Sequence, residues 1–297
     1  MKPDRHSHTA HRVAIRRAAH QLLDHPPVLD DPVALPILGA ETAAALRADP
    51  SQFERGPLAP FLRAFMAARA RFAEEQLAAL RATGVRQCVI LGAGLDTFAY
   101  RNTDRETPLR VWEVDHPATQ AWKRQRLREA GIAIPAELSF VPVNFEHDSL
   151  PDELARAGFD LDAGAFFSWL GVTQYLTRPA IFGTLAFIAR ATRRAGGVVF
   201  DYSLSRDLLT DSQRAVYDAL AARVNAAGEP WTDGFNPITL MMELCSLGFA
   251  AAQDVSGEEL NGRYFAGRAD GLRVGTIAHL MWAGATPLDL PPQQGRR

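Results

Sequence analysis

The junction between a short apolar run and the helix expected to follow it carries Gly92-Ala93-Gly94, and Asp115 stands 21 residues after Gly94. Glycines at such a junction let the backbone approach a ligand closely. An acid at that spacing, ending the next strand, is placed to hydrogen-bond the hydroxyl pair of a ribose. Together they point to an adenosine-type cofactor, nicotinamide-bearing or otherwise. The third glycine position of a dinucleotide turn is Thr97 here, and Asp96 lies inside the turn. A dinucleotide would set its pyrophosphate there, on the helix N-terminus. A carboxylate about 4 Å away would repel it by roughly 1–4 kcal/mol. S-adenosylmethionine has no phosphate, and its sulfonium and ammonium suit a neighbouring carboxylate. Asp96 also reads as a helix N-cap, and the two roles are compatible.

Methyl transfer from a sulfonium asks little chemistry of the protein, which must align a nucleophile with the S–CH3 bond and exclude water. A carboxylate acceptor needs no base, whereas a phenol or alcohol is helped by one. His116, His147 and Tyr175 are the candidate bases. Each also reads as a surface or structural residue, and none is assigned as catalytic. No metal site is expected. Arg69 falls on the apolar stripe of Leu62, Phe65, Phe72 and Leu80, in the helix expected over residues 58–82. A cation there needs a partner or an escape to water. It reads as a snorkelling side chain, a structural ion pair, or an anion clamp for a ligand.

The elements that must position these residues follow a clear rhythm. Residues 10–24 form an amphipathic helix, with Ala14, Ala18 and Leu22 at fours and Arg16, Arg17 and Gln21 on other faces. Asp30-Asp31-Pro32 reads as a fresh helix start, closed by Gly39 and Asp49-Pro50-Ser51. From Gly84 strands alternate with helices: 85–91, 109–114, 138–143, 163–170 and 198–202 as strands, helices opening at Pro117 and Thr177, and a helix over 238–247. Residues 249–255 and 273–282 read as a closing pair of strands. Such alternation implies an α/β fold, a doubly wound parallel sheet with helices on both faces.

The 297 residues suffice for one large domain or a domain with a cap, and a net charge of −2 gives no bulk field for nucleic acid or an anionic membrane. Cys88 and Cys245 lie far apart in apolar contexts, which fits a reduced, cytoplasmic setting. No apolar run approaches the roughly 18 residues of a membrane helix. Met1 to Ala10 lacks a signal-peptide core, and Arg12, Arg16 and Arg17 fit a surface helix better than a transit peptide.

The run Val89-Ile90-Leu91-Gly92-Ala93-Gly94-Leu95-Asp96-Thr97-Phe98-Ala99-Tyr100-Arg101 resembles the signature of the leucine carboxyl methyltransferase-like family. That family includes protein phosphatase carboxyl methyltransferases, polyketide O-methyltransferases and many bacterial proteins of unassigned substrate. Trp112-Glu113-Val114-Asp115-His116-Pro117 followed by Lys123 resembles its second motif, and Gly171-Val172-Thr173-Gln174-Tyr175-Leu176-Thr177 its fourth. Thr9-Ala10 through Asp31-Pro32 is also similar to bacterial members, so the likeness spans about residues 8–282.

The resemblance implies a class I methyltransferase (Rossmann-like) fold, a seven-stranded sheet of order 3-2-1-4-5-7-6 with an N-terminal helical cap. It implies S-adenosyl-L-methionine as cofactor, with Arg69 near its carboxylate, Gly92, Ala93 and Gly94 at the methionine moiety, and Asp115 at the ribose. Two positions depart from the pattern. The acid facing adenine is replaced by Asn144, whose carbonyl can still accept from the amino group, with Phe145 able to cover the ring. The glutamate before the fourth-motif glycine is Leu170, which removes a polar contact; Asp96 or Glu113 is placed to compensate.

The expected organisation is a cap over 1–82, a cofactor-binding core over 83–284 and a flexible tail over 285–297. The expected activity is O-methylation of a carboxylate or hydroxyl on a small molecule. A cofactor-binding member without catalysis and a nicotinamide-dependent oxidoreductase are the alternatives.

Overall fold

The computed structural model describes residues 8–53, 56–102, 107–144, 147–226 and 231–288. Helices α1 (His8–Leu23), α2 (Ala40–Ala48) and α3 (Ala59–Ala82) come first. Then follow β1 (Gln87–Leu91), α4 (Phe98–Arg101), β2 (Arg110–Asp115), α5 (Pro117–Glu129), β3 (Leu138–Pro142), α6 (Leu150–Arg156), β4 (Ala165–Trp169), α7 (Arg178–Thr192) and β5 (Gly196–Ser203). The chain closes with α8 (Asp211–Ala226), α9 (Pro237–Ser246), β6 (Ala251–Val255), α10 (Gly257–Tyr264) and β7 (Ala278–Gly284). The seven strands form one sheet of order β3-β2-β1-β4-β5-β7-β6, with β7 antiparallel to both of its neighbours. This is the expected α/β, doubly wound class I arrangement.

The apolar runs of the central strands follow from burial on both faces. In β1, Cys88 and Ile90 face a core that includes Phe65, Phe72 and Leu77 of α3, while Val89 and Leu91 face one with Leu154 of α6 and Leu185 of α7. Thr177 caps α7 by accepting from the Ala180 N–H, and Asn236 caps α9 by accepting from Ile238 and Thr239. The strand order reverses between β1 and β4, so the carboxyl ends of β1, β2 and β4 open onto the crevice where ligands of such sheets bind.

Three expectations need correction. No helix starts at Asp30–Pro32: a turn leads into a short 3-10 segment, Pro36–Leu38, and α2 begins only after Gly39. The Asp31 carboxylate is drawn inward to Arg17 and Thr97, so tertiary pairing overrides the local start signal. Arg17 does not lie on an outer face, being only 7% exposed. The second of the closing strands begins at Ala278, not near residue 273, because α10 and its connection fill the stretch after β6. The sequence pattern singled out neither α8 nor α10, although α10 carries a capping box of Ser256 and Glu259.

Of the proposed tail, the Ala285 N–H bonds to the Gly196 carbonyl and the Thr286 carbonyl accepts from Trp282; residues 289–297 lie outside the described residues. Cys88 and Cys245 are unpaired. Among the described residues no helix is long and apolar enough to cross a membrane.

Candidate functional site

The turn after β1 is shaped by two glycines with left-handed backbones, Gly92 at φ +65° and Gly94 at φ +46°. The Val114 carbonyl accepts from the N–H groups of Gly92 and Ala93, pinning the turn to the end of β2. Asp115 completes the attachment: its carboxylate accepts from Gly94 and His116 N–H, each at 2.6 Å. Burial pushes the Asp115 carboxyl above its usual range, against the opposing effect of those two N–H groups.

The glycines also make room for neighbouring elements. A Cβ on Gly92 would lie 2.4 Å from the Val172 side chain, and one on Gly94 would lie 3.0 Å from the Ala10 Cβ of α1. The N-terminal helix therefore packs directly against the turn.

One cavity of about 380 Å³ gathers the residues singled out from the sequence. Arg69, Gly92, Ala93, Gly94, Asp96, Asp115, Asn144 and Leu170 all line it. Phe145 lies outside the described residues. Thr9, Ala10, Val13, Ala14 and Arg17 of α1 form a facing wall. Met66 of α3 and Val172, Tyr175 and Leu176, which follow β4, complete the lining.

The Asp96 Oδ1 accepts from the Phe98 N–H at 2.8 Å, but the N-cap of α4 is Thr97, whose side chain makes no capping bond, so the N-cap expected at Asp96 falls one residue early. The Asp96 Oδ2 lies 3.8 Å from Arg17. Arg17 also bonds Asp31 and the Thr97 hydroxyl, while Arg101 pairs with Asp31 at 3.3 Å and with Glu74. Burial works to raise the Asp31 carboxyl, and the Arg17 and Arg101 guanidinium groups overcome it and hold the group below its ordinary range. Burial dominates at Glu74, which is raised despite Arg101.

Arg69 is buried and paired with Asp201 of β5 at 2.6 Å, so the structural ion pair is real, and Arg69 also lines the cavity. Asp201 was missed by sequence reasoning. Its signal was available, since a lone acid inside Val198-Val199-Phe200-Asp201-Tyr202 needs a buried partner.

Glu113 does not line the cavity. It is fully buried and lies 2.7 Å from Lys123, with its carboxyl pushed up to about 7 by burial against the pull of Lys123. It therefore cannot compensate for Leu170, whereas Asp96 does reach the cavity. Of the candidate bases, His116 and Tyr175 line the cavity and His147 is exposed elsewhere. His116 Nδ1 accepts from the Ala118 N–H at 3.3 Å and so caps α5. An accepting Nδ1 puts the proton of the neutral ring on Nε2.

Comparison with known proteins gives consistent likenesses. The family model for leucine carboxyl methyltransferase matches residues 10–189. A Bacillus subtilis (strain 168) protein named "Putative S-adenosyl-L-methionine-dependent methyltransferase YktD" is 30% identical over 302 aligned positions, covering 95% of this chain and 99% of its own. A similarly named Mycobacterium avium (strain 104) protein is 36% identical over 182 positions, covering 58% of this chain and 57% of its own. The crystal structure of a "putative methyltransferase" from Thermobifida fusca YX superposes with a TM-score of 0.53 at 14% identity, covering 92% of this chain and 93% of that one, a likeness of fold.

Proposed function

The chain belongs to the leucine carboxyl methyltransferase family, and from that premise we propose that it transfers a methyl group from S-adenosylmethionine to an oxygen of a small molecule. It is an S-adenosylmethionine-dependent methyltransferase; the acceptor and the residue roles are the proposal. The observation that carries the reading is that Asp96, Asp115 and Arg69 line one cavity at the end of the sheet where the strand order reverses. The Asp96 carboxylate inside the turn disfavours a diphosphate there. A ligand with ribose hydroxyls toward one end, an amino-acid group at the other and a sulfonium between them matches these acceptors and this cation.

In this reading Asp115 accepts from the ribose hydroxyls, Asn144 accepts from the adenine amino group through its carbonyl, and Arg69 holds the carboxylate. Gly92, Ala93 and Gly94 bring backbone to the methionine moiety, and Leu170 packs beside it. The α1 wall of Ala10, Val13 and Ala14 keeps water out. Bound S-adenosylmethionine supplies an electrophilic methyl group. Both Asp115 oxygens and the Nδ1 of His116 already accept backbone N–H groups. With His116 Nδ1 committed, Tyr175 is the one candidate base left on the cavity, which favours an acceptor that arrives ionised, a carboxylate, over a hydroxyl that needs its proton removed. The helices over 1–82 would act as the cap on a cofactor-binding core over 83–284, in a cytoplasmic setting.

Methyl-tritiated S-adenosylmethionine offered with a panel of carboxylic acids, phenols and alcohols tests the reading. Base-labile label in product is the expected result, since a methyl ester hydrolyses and an ether does not. Binding of the cofactor with no transfer to any acceptor would point to a non-catalytic protein. Tight NADH binding with none of S-adenosylmethionine would overturn the assignment.

A further inference from the structure

Asp201 is 4% exposed on β5. Its two oxygens are divided between two elements. Oδ2 accepts from Arg69 Nη1 of α3 at 2.6 Å, and Oδ1 accepts from the Gly171 N–H in the turn after β4. The Thr173 hydroxyl donates to the Asp201 carbonyl at 2.6 Å and fixes the strand against the same turn. A carboxylate facing a guanidinium ordinarily pairs through both oxygens. Here the Gly171 N–H draws one oxygen away and the contact stays single. The guanidinium is thereby anchored at one nitrogen, with its remaining donors not spent on Asp201.

The other sides of the Arg69 head are fixed as well. A Cβ on Gly171 would lie 2.9 Å from Nη2, so only glycine lets the guanidinium lie against this turn. The Phe65 ring, one helical turn earlier, has its centre 5.9 Å from the guanidinium carbon. The side left is the cavity that Arg69 lines.

We propose that Asp201 is a positioning residue: by splitting its oxygens between Arg69 and Gly171, it aims the Arg69 guanidinium at the carboxylate of the cofactor's amino-acid group. The inference rests on the methyltransferase reading above and deepens it. It also gives the turn that carries Leu170 in place of an acid a carboxylate from the neighbouring strand, bonded to the backbone one residue on.

Calorimetry with two ligands tests this. S-adenosylhomocysteine carries the amino-acid group, and 5′-methylthioadenosine has the nucleoside and thioether without it. Asp201→Asn keeps the shape but puts a donor toward Arg69 or Gly171. Its affinity for S-adenosylhomocysteine should fall roughly tenfold or more while that for 5′-methylthioadenosine stays within about twofold. Gly171→Ala keeps the Asp201 carboxylate but crowds the guanidinium and, at φ +76°, strains the turn whose N–H Asp201 accepts; it should show the same selective loss, which carries the test if Asp201→Asn does not fold. In an Arg69→Met background, Asp201→Asn should cost S-adenosylhomocysteine nothing further. Equal losses for both ligands in Asp201→Asn and Gly171→Ala, or an additive double variant, would overturn the inference and leave the methyltransferase reading intact. A wild-type protein that binds neither ligand would bring down that reading, and the inference with it.

Discussion

The guanidinium of Arg17 on α1 lies 3.8 Å from the carboxylate of Asp96, in the turn after β1. This contact belongs to a buried network in which Arg17 also bonds Asp31 and Thr97. The N-terminal helix is therefore held to the turn by charge as well as by packing. Asp31 is 1% exposed and Thr97 fully buried, and removing Arg17 leaves Arg101 as the cation that serves both. Arg17→Leu should destabilise the fold by about 1–3 kcal/mol, the cost of losing charged hydrogen bonds while Arg101 keeps Asp31 paired. Denaturant unfolding measures this, and hydrogen exchange should show the loosening concentrated in residues 8–23. A loss under about 1 kcal/mol would show that the network contributes little.

Acid should weaken the same region. Asp24 accepts from His20 at 2.7 Å and from two Arg63 nitrogens at 2.8 and 2.9 Å. Burial would raise its carboxyl, but His20 and Arg63 outweigh burial and hold it below 3.8, as Arg17 and Arg101 do for Asp31. A carboxyl depressed in the folded state stabilises fully above its unfolded value and loses that contribution as pH falls through the folded one. Thermal midpoints should be insensitive to these two groups above about pH 5 and fall steeply below pH 3.8. Asp24→Asn should start less stable at neutral pH and show a shallower acid limb. An acid limb as steep as wild type would locate the responsible carboxyls elsewhere.

What could be read from the sequence was whatever depends on local spacing. Gly92 to Asp96 and Asp115 were legible because a glycine turn and the acid closing the next strand sit a fixed distance apart in such sheets. The strand order followed from the resemblance to a known family and matches the observed sheet. Partners brought together by the fold were not legible. Arg69 stood out as a cation on an apolar face, yet its partner is 132 positions away. Arg17 was placed outward because α1 periodicity alone cannot announce Asp31 and Thr97 beneath it. The Asp-Pro start near residue 31 failed for the same reason, a local cap signal losing to a buried ion pair.

Asp115→Ala should weaken S-adenosylhomocysteine binding by roughly 1–3 kcal/mol through loss of charged hydrogen bonds. The structure adds a second consequence, since the N–H groups of Gly94 and His116 lose their acceptor. Asp115→Asn retains an acceptor oxygen for one of them and should keep more of the thermal stability than Asp115→Ala. Calorimetry and melting curves on the two variants separate the contributions. Unchanged affinity in both would remove Asp115 from the cofactor site.

Gly94 allows its two possible duties to be told apart. A Cβ there would stand 3.0 Å from the Ala10 Cβ, on a backbone at φ +46° that L-residues adopt at a cost. Gly94→Ala should therefore lose about 1–3 kcal/mol from crowding and about 1–2 kcal/mol from the left-handed backbone. If the crowding is against α1, Ala10→Gly in the same chain should recover the first part and leave the second. If Gly94 is instead required because the ligand's own atoms press against it, Ala10→Gly should restore stability without restoring affinity for S-adenosylhomocysteine. Denaturant unfolding of the single and double variants, followed by calorimetry on each, separates a glycine that admits the cap from one that admits the cofactor. Failure of Ala10→Gly to recover either quantity would mean that α1 does not press on this turn in solution.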